Sequence, residues 1–176
     1  RLRRLDERAE IIIFERSGYV SYANCGLPYY IGGEIKRRSA LTLQTPESVK
    51  ARFNIDVRVN SEVVRIDRAN KKVFVRSPRG EYEESYDKLI YSPGARPILP
   101  TGAHGRRIFT LRTVEDTFAI GDFIREQSPQ TAVVAGGGFI GLEAAENLVS
   151  RGIKVTLIQG REQVLPQTDY EIAWFL

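Results

Sequence analysis

Three observations in the 176-residue sequence predict an α/β fold, built as two Rossmann-like units with a β-meander inserted. The run Ile11-Ile-Ile-Phe-Glu15 is an apolar strand closed by an acid. A second strand, over 131–135, enters the glycine turn Gly136-Gly-Gly-Phe-Ile-Gly141, and a helical stretch and another strand follow it. Between these two regions lie short segments of alternating polarity, punctuated by Asn70 and Pro78-Arg-Gly80, the pattern of antiparallel strands.

Residues 1–8 are charged, with Leu2 and Leu5 three apart, and read as the last turns of a helix. A wholly apolar strand over 11–15 suggests burial on both faces, as in a parallel sheet. Helix, strand and terminal acid form the second half of a βαβ unit. Its first half needs a glycine turn about 20 residues before the acid. Glu15 leaves no room for one and the chain contains no Met, so truncation at the front is expected. Residues 46–53 read as a helix with Thr45 as N-cap and Pro46 at its first position. Strands are expected over 55–59, 62–66, 73–76 and 81–86, as the meander. Another buried strand is expected over 88–92, stopped by Pro93-Gly94. Apolar spacing through Val114, Phe118, Ile120 and Ile124 predicts a helix over 114–127, ended by Ser128-Pro129. A helix over 142–150 with Gly152 as its cap and a strand over 154–159 complete the second unit. The expected domains are 1–113 and 114–176. Each holds part of a nucleotide-binding domain, and the second stops after one βαβ unit, so truncation at the back is expected too.

Composition narrows the function. Hydrophobic residues make up 42% and charged residues 27%, which is globular rather than disordered. The net charge of +4 comes from basic residues interleaved with acidic ones. That describes a solvated surface, and no zinc finger, RNP-type or basic-helix pattern points to nucleic acid. No apolar run has bilayer length, so no membrane is expected as a partner. One Cys and one His exclude an internal disulfide and a Cys/His metal site. A single cysteine suits a reducing, cytoplasmic compartment.

The glycine turn has specific physics. Gly136 permits the tight bend, Gly138 lets backbone approach a pyrophosphate, and Gly141 lets helix pack on strand. The helix N-terminus that follows offers free N–H groups to phosphate, and Phe139 and Ile140 of the turn are expected to join the NAD(P) contacts. The acid expected about 20 residues on, which would bind a ribose hydroxyl, is replaced by Gln159. Gln does not repel a 2′-phosphate, and Arg161 lies two residues further, with a guanidinium suited to one. Both NADPH acceptance and ordinary NADH use remain open.

Cys25 lies in a stretch with Ser21, Asn24 and Gly26, small or polar neighbours unlike an apolar core. It follows the acid-tipped strand, and loops after such strands face the bound cofactor. The chain has no second Cys, so dithiol chemistry within it is excluded. One sulfur can still cycle through mixed disulfide, persulfide or sulfenic acid.

Four segments occur in order: Ser21-Tyr-Ala-Asn-Cys-Gly-Leu-Pro-Tyr-Tyr-Ile-Gly-Gly33, Leu89-Ile-Tyr-Ser-Pro-Gly-Ala95, Phe109-Thr-Leu-Arg112 and Gly136-Gly-Gly-Phe-Ile-Gly-Leu-Glu143. Together they resemble the single-cysteine branch of the pyridine nucleotide-disulfide oxidoreductases. Asn-Cys-Gly-Leu-Pro-Tyr is most similar to the coenzyme A-disulfide reductases, including the rhodanese-fused kind. The resemblance implies FAD, NAD(P)H and a homodimer, with reduction of CoA-disulfide, or of CoA persulfide or polysulfide, through Cys25. It implies flavin contacts at Glu15, at Val64 through its backbone, at Ser92, Pro93, Gly94 and Arg112. It implies CoA contacts at Arg4, Ser21, Asn24 and Thr45, and places Glu143 near the nicotinamide. NADH oxidases and peroxidases share the layout, so a sulfenic acid cycle on Cys25 is the alternative. A nucleotide-binding module without redox chemistry is the alternative of another class.

Overall fold

The computed structural model describes residues 1–175. In chain order its elements are α1 (Leu2–Leu5), β1 (Ile12–Phe14), β2 (Ser21–Tyr22), α2 (Leu27–Gly32), β3 (Thr42–Gln44), α3 (Pro46–Phe53), β4 (Asp56–Arg58), β5 (Glu62–Asp67), β6 (Lys72–Ser77), β7 (Gly80–Ser85), α4 (Val114–Gln127), β8 (Thr131–Ala135), α5 (Phe139–Ser150), β9 (Lys154–Ile158) and α6 (Tyr170–Ala173). Short 3-10 turns cover Asn24–Gly26 and Arg38–Ala40. They fall into two compact units that interleave along the chain. One is Arg1–Tyr22 with Thr42–Ala95; the other is Ala23–Leu41 with the chain from Arg96 on. Among the described residues no helix is long and apolar enough to cross a membrane.

In the first unit β1 and β4 pair in parallel, Ile13 opposite Val57. Parallel neighbours need a crossover connection, and α3 supplies the helix just before β4. Thr45 and Ser48 cap α3 reciprocally, and Asn54, left-handed at φ 51°, turns the chain towards β4. The Arg3 guanidinium ties α1 to the end of α3. It donates to the carbonyls of Phe53 (3.0 Å) and Asn54 (2.8 Å), and to those of Glu7 (2.8 Å) and Ala9 (2.7 Å). Two expectations are corrected here. The segment expected over 55–59 joins β1 rather than the meander, and the strand expected over 11–15 is not buried on both faces. Ile13 is 39% exposed, and among the described residues β1 pairs only with β4.

The meander is three antiparallel strands in the order β5-β6-β7. Val73 and Val75 of the central strand are buried. The register slips between Val63 and Arg65, so that Val63 faces Val75, Arg65 faces Phe74 and Val64 has no opposite residue. The strand expected over 88–92 is also corrected. No described strand pairs with it, and Ile90 and Tyr91 are 69% and 72% exposed. A parallel-type strand is buried only between neighbours and covering helices, and neither reaches this segment.

In the second unit β8 and β9 run parallel, in register from Thr131–Lys154 to Ala135–Ile158. The connection between them is α5, and Gly152 at φ 80° follows its end. Thr113 and Asp116 form a reciprocal capping box on α4. The core gathers Ile31 of α2, Ile124 of α4 and Ile153, with Leu111, Ile120, Ala132 and Leu148 packed on it. Thus α2 lies against both α4 and α5. A helix of six residues is not stable alone, so these contacts hold α2 in place.

Candidate active site

The second unit contains the glycine turn and the cysteine. Of its two long helices, α4 is closed by Thr113 and Asp116, whereas α5 starts at Gly138 with no side-chain cap. The first-turn N–H groups of α5 are therefore open to an anion. Gly136 adopts φ 113°, which disfavours any other residue. A side chain at Gly138 would point into open space, and a Cβ at Gly141 would overlap the Gly136 carbonyl oxygen. So Gly141 is demanded by packing and Gly136 by conformation, while the space beside Gly138 is open. This cradle fits a dinucleotide pyrophosphate.

Gln159 does something its sequence position did not suggest. Its Oε1 accepts from the Gly137 N–H (3.3 Å) and the Gly160 N–H (3.2 Å), and its Nε2 donates to the Gln163 carbonyl (3.1 Å). The Leu165 N–H donates to the Gly137 carbonyl at 2.7 Å. The chain after β9 thus folds back and braces the turn. Arg161 is exposed and makes no hydrogen bond or ion pair among the described residues. Glu143 is half-buried on α5, and its carboxylate has no ion pair among the described residues.

Cys25 is a free, exposed thiol in the 3-10 turn that runs directly into α2. The turn is fixed by the Ala23 N–H on the Leu41 carbonyl and the Gly26 N–H on the Ala23 carbonyl, both 2.9 Å. A Cβ at Gly26 would lie 3.1 Å from both Ile35 and Leu41, so the residue after the thiol is crowded by its own segment. Pro28 occupies the first turn of α2 and Gly33, at φ 89°, ends it. These are the sequence marks of a short helix, legible in retrospect. Arg38 anchors the far end. Its guanidinium bonds Asp122 at 2.5 Å and Tyr30 Oη at 3.4 Å, and lies 4.5 Å over the Phe118 ring. Asp122 also accepts from Arg125 at 2.8 Å. The Arg38 hydrogen bond, then that of Arg125, holds the Asp122 carboxyl below the usual carboxylate range. Asn24 is exposed beside the thiol.

Arg112 also belongs to this unit and is half-buried. Its N–H donates to Asp116 Oδ2 at 3.0 Å, beside those of Thr113 (3.1 Å) and the Thr110 hydroxyl (3.3 Å). Asp116 thus shapes the segment that presents Arg112. The capping pattern Thr-x-x-Asp signals it; nothing in the sequence links Arg38 to Asp122.

The first unit holds the remaining expected residues. Glu15 stands at the end of β1, one carboxylate oxygen accepting from the Ser17 N–H at 2.7 Å. Its carbonyl accepts from the Ser61 N–H at 2.9 Å, which brings the approach to β5 alongside. Val64, as the bulge residue, has its backbone released from the ladder. Ser21 lies on β2, and the Thr45 hydroxyl accepts from the Ser48 N–H at 3.2 Å as helix cap. Arg4 is exposed and its guanidinium makes no hydrogen bond or ion pair among the described residues, in contrast to the engaged Arg3. Ser92, Pro93 and Gly94 are exposed and outside regular structure. Among the described residues no group of His, Cys, Asp or Glu could hold a metal ion.

Known proteins place this arrangement in context. The sequence profile described as pyridine nucleotide-disulphide oxidoreductase matches residues 1–176. The coenzyme A disulfide reductase of Staphylococcus haemolyticus (strain JCSC1435) is 43% identical over 173 residues, covering 97% of this chain and 39% of the relative. The crystal structure of reduced Bacillus anthracis CoADR-RHD superposes with a TM-score of 0.94 at 50% identity, covering 99% of this chain and 32% of that one. A NAD-dependent persulfide reductase from A. fulgidus gives a TM-score of 0.92 at 36% identity, covering 99% and 33%. The chain spans about two fifths of the length of the curated relative it matches.

Proposed function

We propose, from the premise that the chain belongs to the pyridine nucleotide-disulphide oxidoreductases, that it is the part of an FAD-dependent NAD(P)H:CoA-disulfide reductase that carries the redox sulfur. One observation carries this reading: a lone exposed thiol stands on a segment packed against the helix whose first turn is an uncapped glycine cradle. Such a sulfur has no resolving cysteine in the chain, so its partner comes from substrate. The Cys25 thiolate attacks one sulfur of CoA-disulfide, forms a mixed disulfide and expels one CoA thiolate. Two electrons from NAD(P)H then cleave that bond, releasing the second CoA thiol and restoring the Cys25 thiolate. A bound flavin would supply the relay between the two-electron hydride donor and the sulfur.

The chain's own residues bind and orient. Gly136, Gly138 and Gly141, with the N–H groups of Phe139 and Ile140, receive the NAD(P)H pyrophosphate, and Glu143 lies on the nicotinamide side. Arg161, rather than the engaged Gln159, is the group left to meet a 2′-phosphate. Glu15, the released backbone of Val64, Ser92, Pro93, Gly94 and Arg112 are assigned to FAD. Arg4, Ser21, Asn24 and Thr45 are assigned to CoA, with Arg4 free to pair with a phosphate. Residues 1–113 and 114–176 are then FAD and NAD(P) territories, and two copies of the full-length chain make the working enzyme. The 36% identity to a persulfide reductase favours CoA persulfide as a second substrate.

Intact-mass analysis of the full-length protein tests the proposal. A CoA adduct on Cys25 that disappears on reduction, and NAD(P)H-dependent CoA-disulfide turnover lost in Cys25→Ser, are expected. Peroxide- or oxygen-driven turnover without any adduct would replace the proposal by an oxidase or peroxidase reading. A colourless protein that cannot be loaded with FAD would leave only a nucleotide-binding module.

A further inference from the structure

Asn147 is a polar residue on α5 and only 4% exposed. A buried amide is costly unless its hydrogen-bonding groups are used. Its Nδ2 donates to the Glu143 carbonyl at 2.8 Å, one turn back on the same helix. Its Oδ1 points at Gly32, the last residue of α2. A Cβ built on Gly32 would overlap that oxygen and come within 2.9 Å of the amide carbon. Gly32 has ordinary helical backbone, so conformation does not require glycine there. Space does, and the Asn147 side chain defines that space.

The next residues repeat the contact. Arg151 follows Asn147 by one helical turn and therefore shares its face. The Arg151 Nη2 would lie 3.2 Å from a Cβ on Gly33. The end of α2 is thus seated on the Asn147 and Arg151 side chains of α5. Ile31, one residue earlier, enters the shared core with Ile153. The same α5 carries the dinucleotide cradle at its other end, and a helix of 12 residues moves as one body.

We propose that Asn147 is a positioning residue for Cys25: its amide sets how closely α2 seats on the dinucleotide-binding helix, and so the placement and reactivity of the thiol just before α2. This rests on the reading of Cys25 as the redox sulfur, and it adds a mechanical link between that sulfur and the cofactor helix.

The test uses the full-length, flavin-loaded enzyme. Cys25 alkylation by iodoacetamide is followed against pH, with the modified site mapped by mass spectrometry, beside kcat and KM for CoA-disulfide. Gly32→Ala should change the alkylation rate at fixed pH by about fivefold, as contacting residues do when coupled, and lower kcat for CoA-disulfide more than it raises KM. Asn147→Ala removes the overlapping oxygen, so the double variant should return the alkylation profile towards that of the parent. Asn147→Ala alone, which introduces no overlap, should also shift the profile, and it decides the matter if Gly32→Ala does not fold. Unchanged alkylation profiles in both folded single variants would overturn the inference, as would a double variant no nearer the parent than Gly32→Ala. If the profiles respond as expected while Cys25→Ser still turns over CoA-disulfide, the positioning stands and the function proposed for Cys25 falls.

Discussion

Replacing Ile31 by Ala tests how the cysteine segment is held. Ile31 is 2% exposed and packs with Ile124 and Ile153. The change removes three carbons, a transfer loss of ~2.4 kcal/mol at ~0.8 kcal/mol for each. A residual cavity adds to this, and such truncations cost about 2–5 kcal/mol. Because α2 has six residues, it has no stability of its own to absorb the loss. The loss should therefore appear as local opening rather than only as global unfolding. Hydrogen exchange at the amides of residues 31–35, in the full-length flavin-loaded protein, reads it directly. An opening easier by ~2.4 kcal/mol speeds exchange about 50-fold. Phe109 and Phe123, whose rings pair at 5.1 Å elsewhere in the same unit, give an internal comparison, and exchange at their amides should change much less. Equal acceleration across the whole unit, or none at residues 31–35, would refute the claim that Ile31 is the local anchor.

Gly141→Ala forces a Cβ into the Gly136 carbonyl. NAD(P)H-dependent flavin reduction should slow about 100-fold or more, as misplacement by an ångström does, while bound FAD measured by absorbance stays constant. Arg161→Ala should raise KM for NADPH about tenfold, the loss of one charge-assisted contact, and leave KM for NADH unchanged; equal effects on both cofactors would remove Arg161 from 2′-phosphate recognition. The Asp122 carboxyl is held below its ordinary value of 3.8 by Arg38 and Arg125. A depressed carboxyl contributes stability above the unfolded value, and that contribution is lost as pH falls through the folded one. Hydrogen exchange over residues 37–41, corrected for intrinsic rate, should therefore be flat above pH ~5 and accelerate below pH ~4. Asp122→Asn should show the loosened rate throughout, and a flat wild-type profile down to pH ~2 would count against the Arg38 anchor.

Local signals carried much of the fold. Thr45-Pro46 marks a helix start because capping is decided within four residues, and α3 begins there. The glycine turn was legible for the same reason: each glycine answers a nearby steric demand, which Gly141 shows most plainly. What escaped was non-local. Arg38 and Asp122 stand 84 residues apart, and no pattern of spacing announces such a pair. The apolar run at 88–92 misled because apolarity reports a wish for burial, while burial needs partners that the described residues do not provide. Gln159 stands at an expected ligand position by its distance to the turn. That distance is also what lets its amide fold back on Gly137, and a count of residues does not separate the two.

The interleaving of the two compact units has a consequence in time. Ile31 meets its core partner Ile153 only after roughly 120 further residues have been made, which takes about 6–24 s at ribosomal rates. Through that interval Ile31 waits without its partner Ile153, six residues from Cys25. The seat of α2 is thus incomplete until α5 and β9 emerge. Hydrogen-exchange pulses on stalled nascent chains would show the amides of residues 31–35 gaining protection once the chain past residue 153 has emerged.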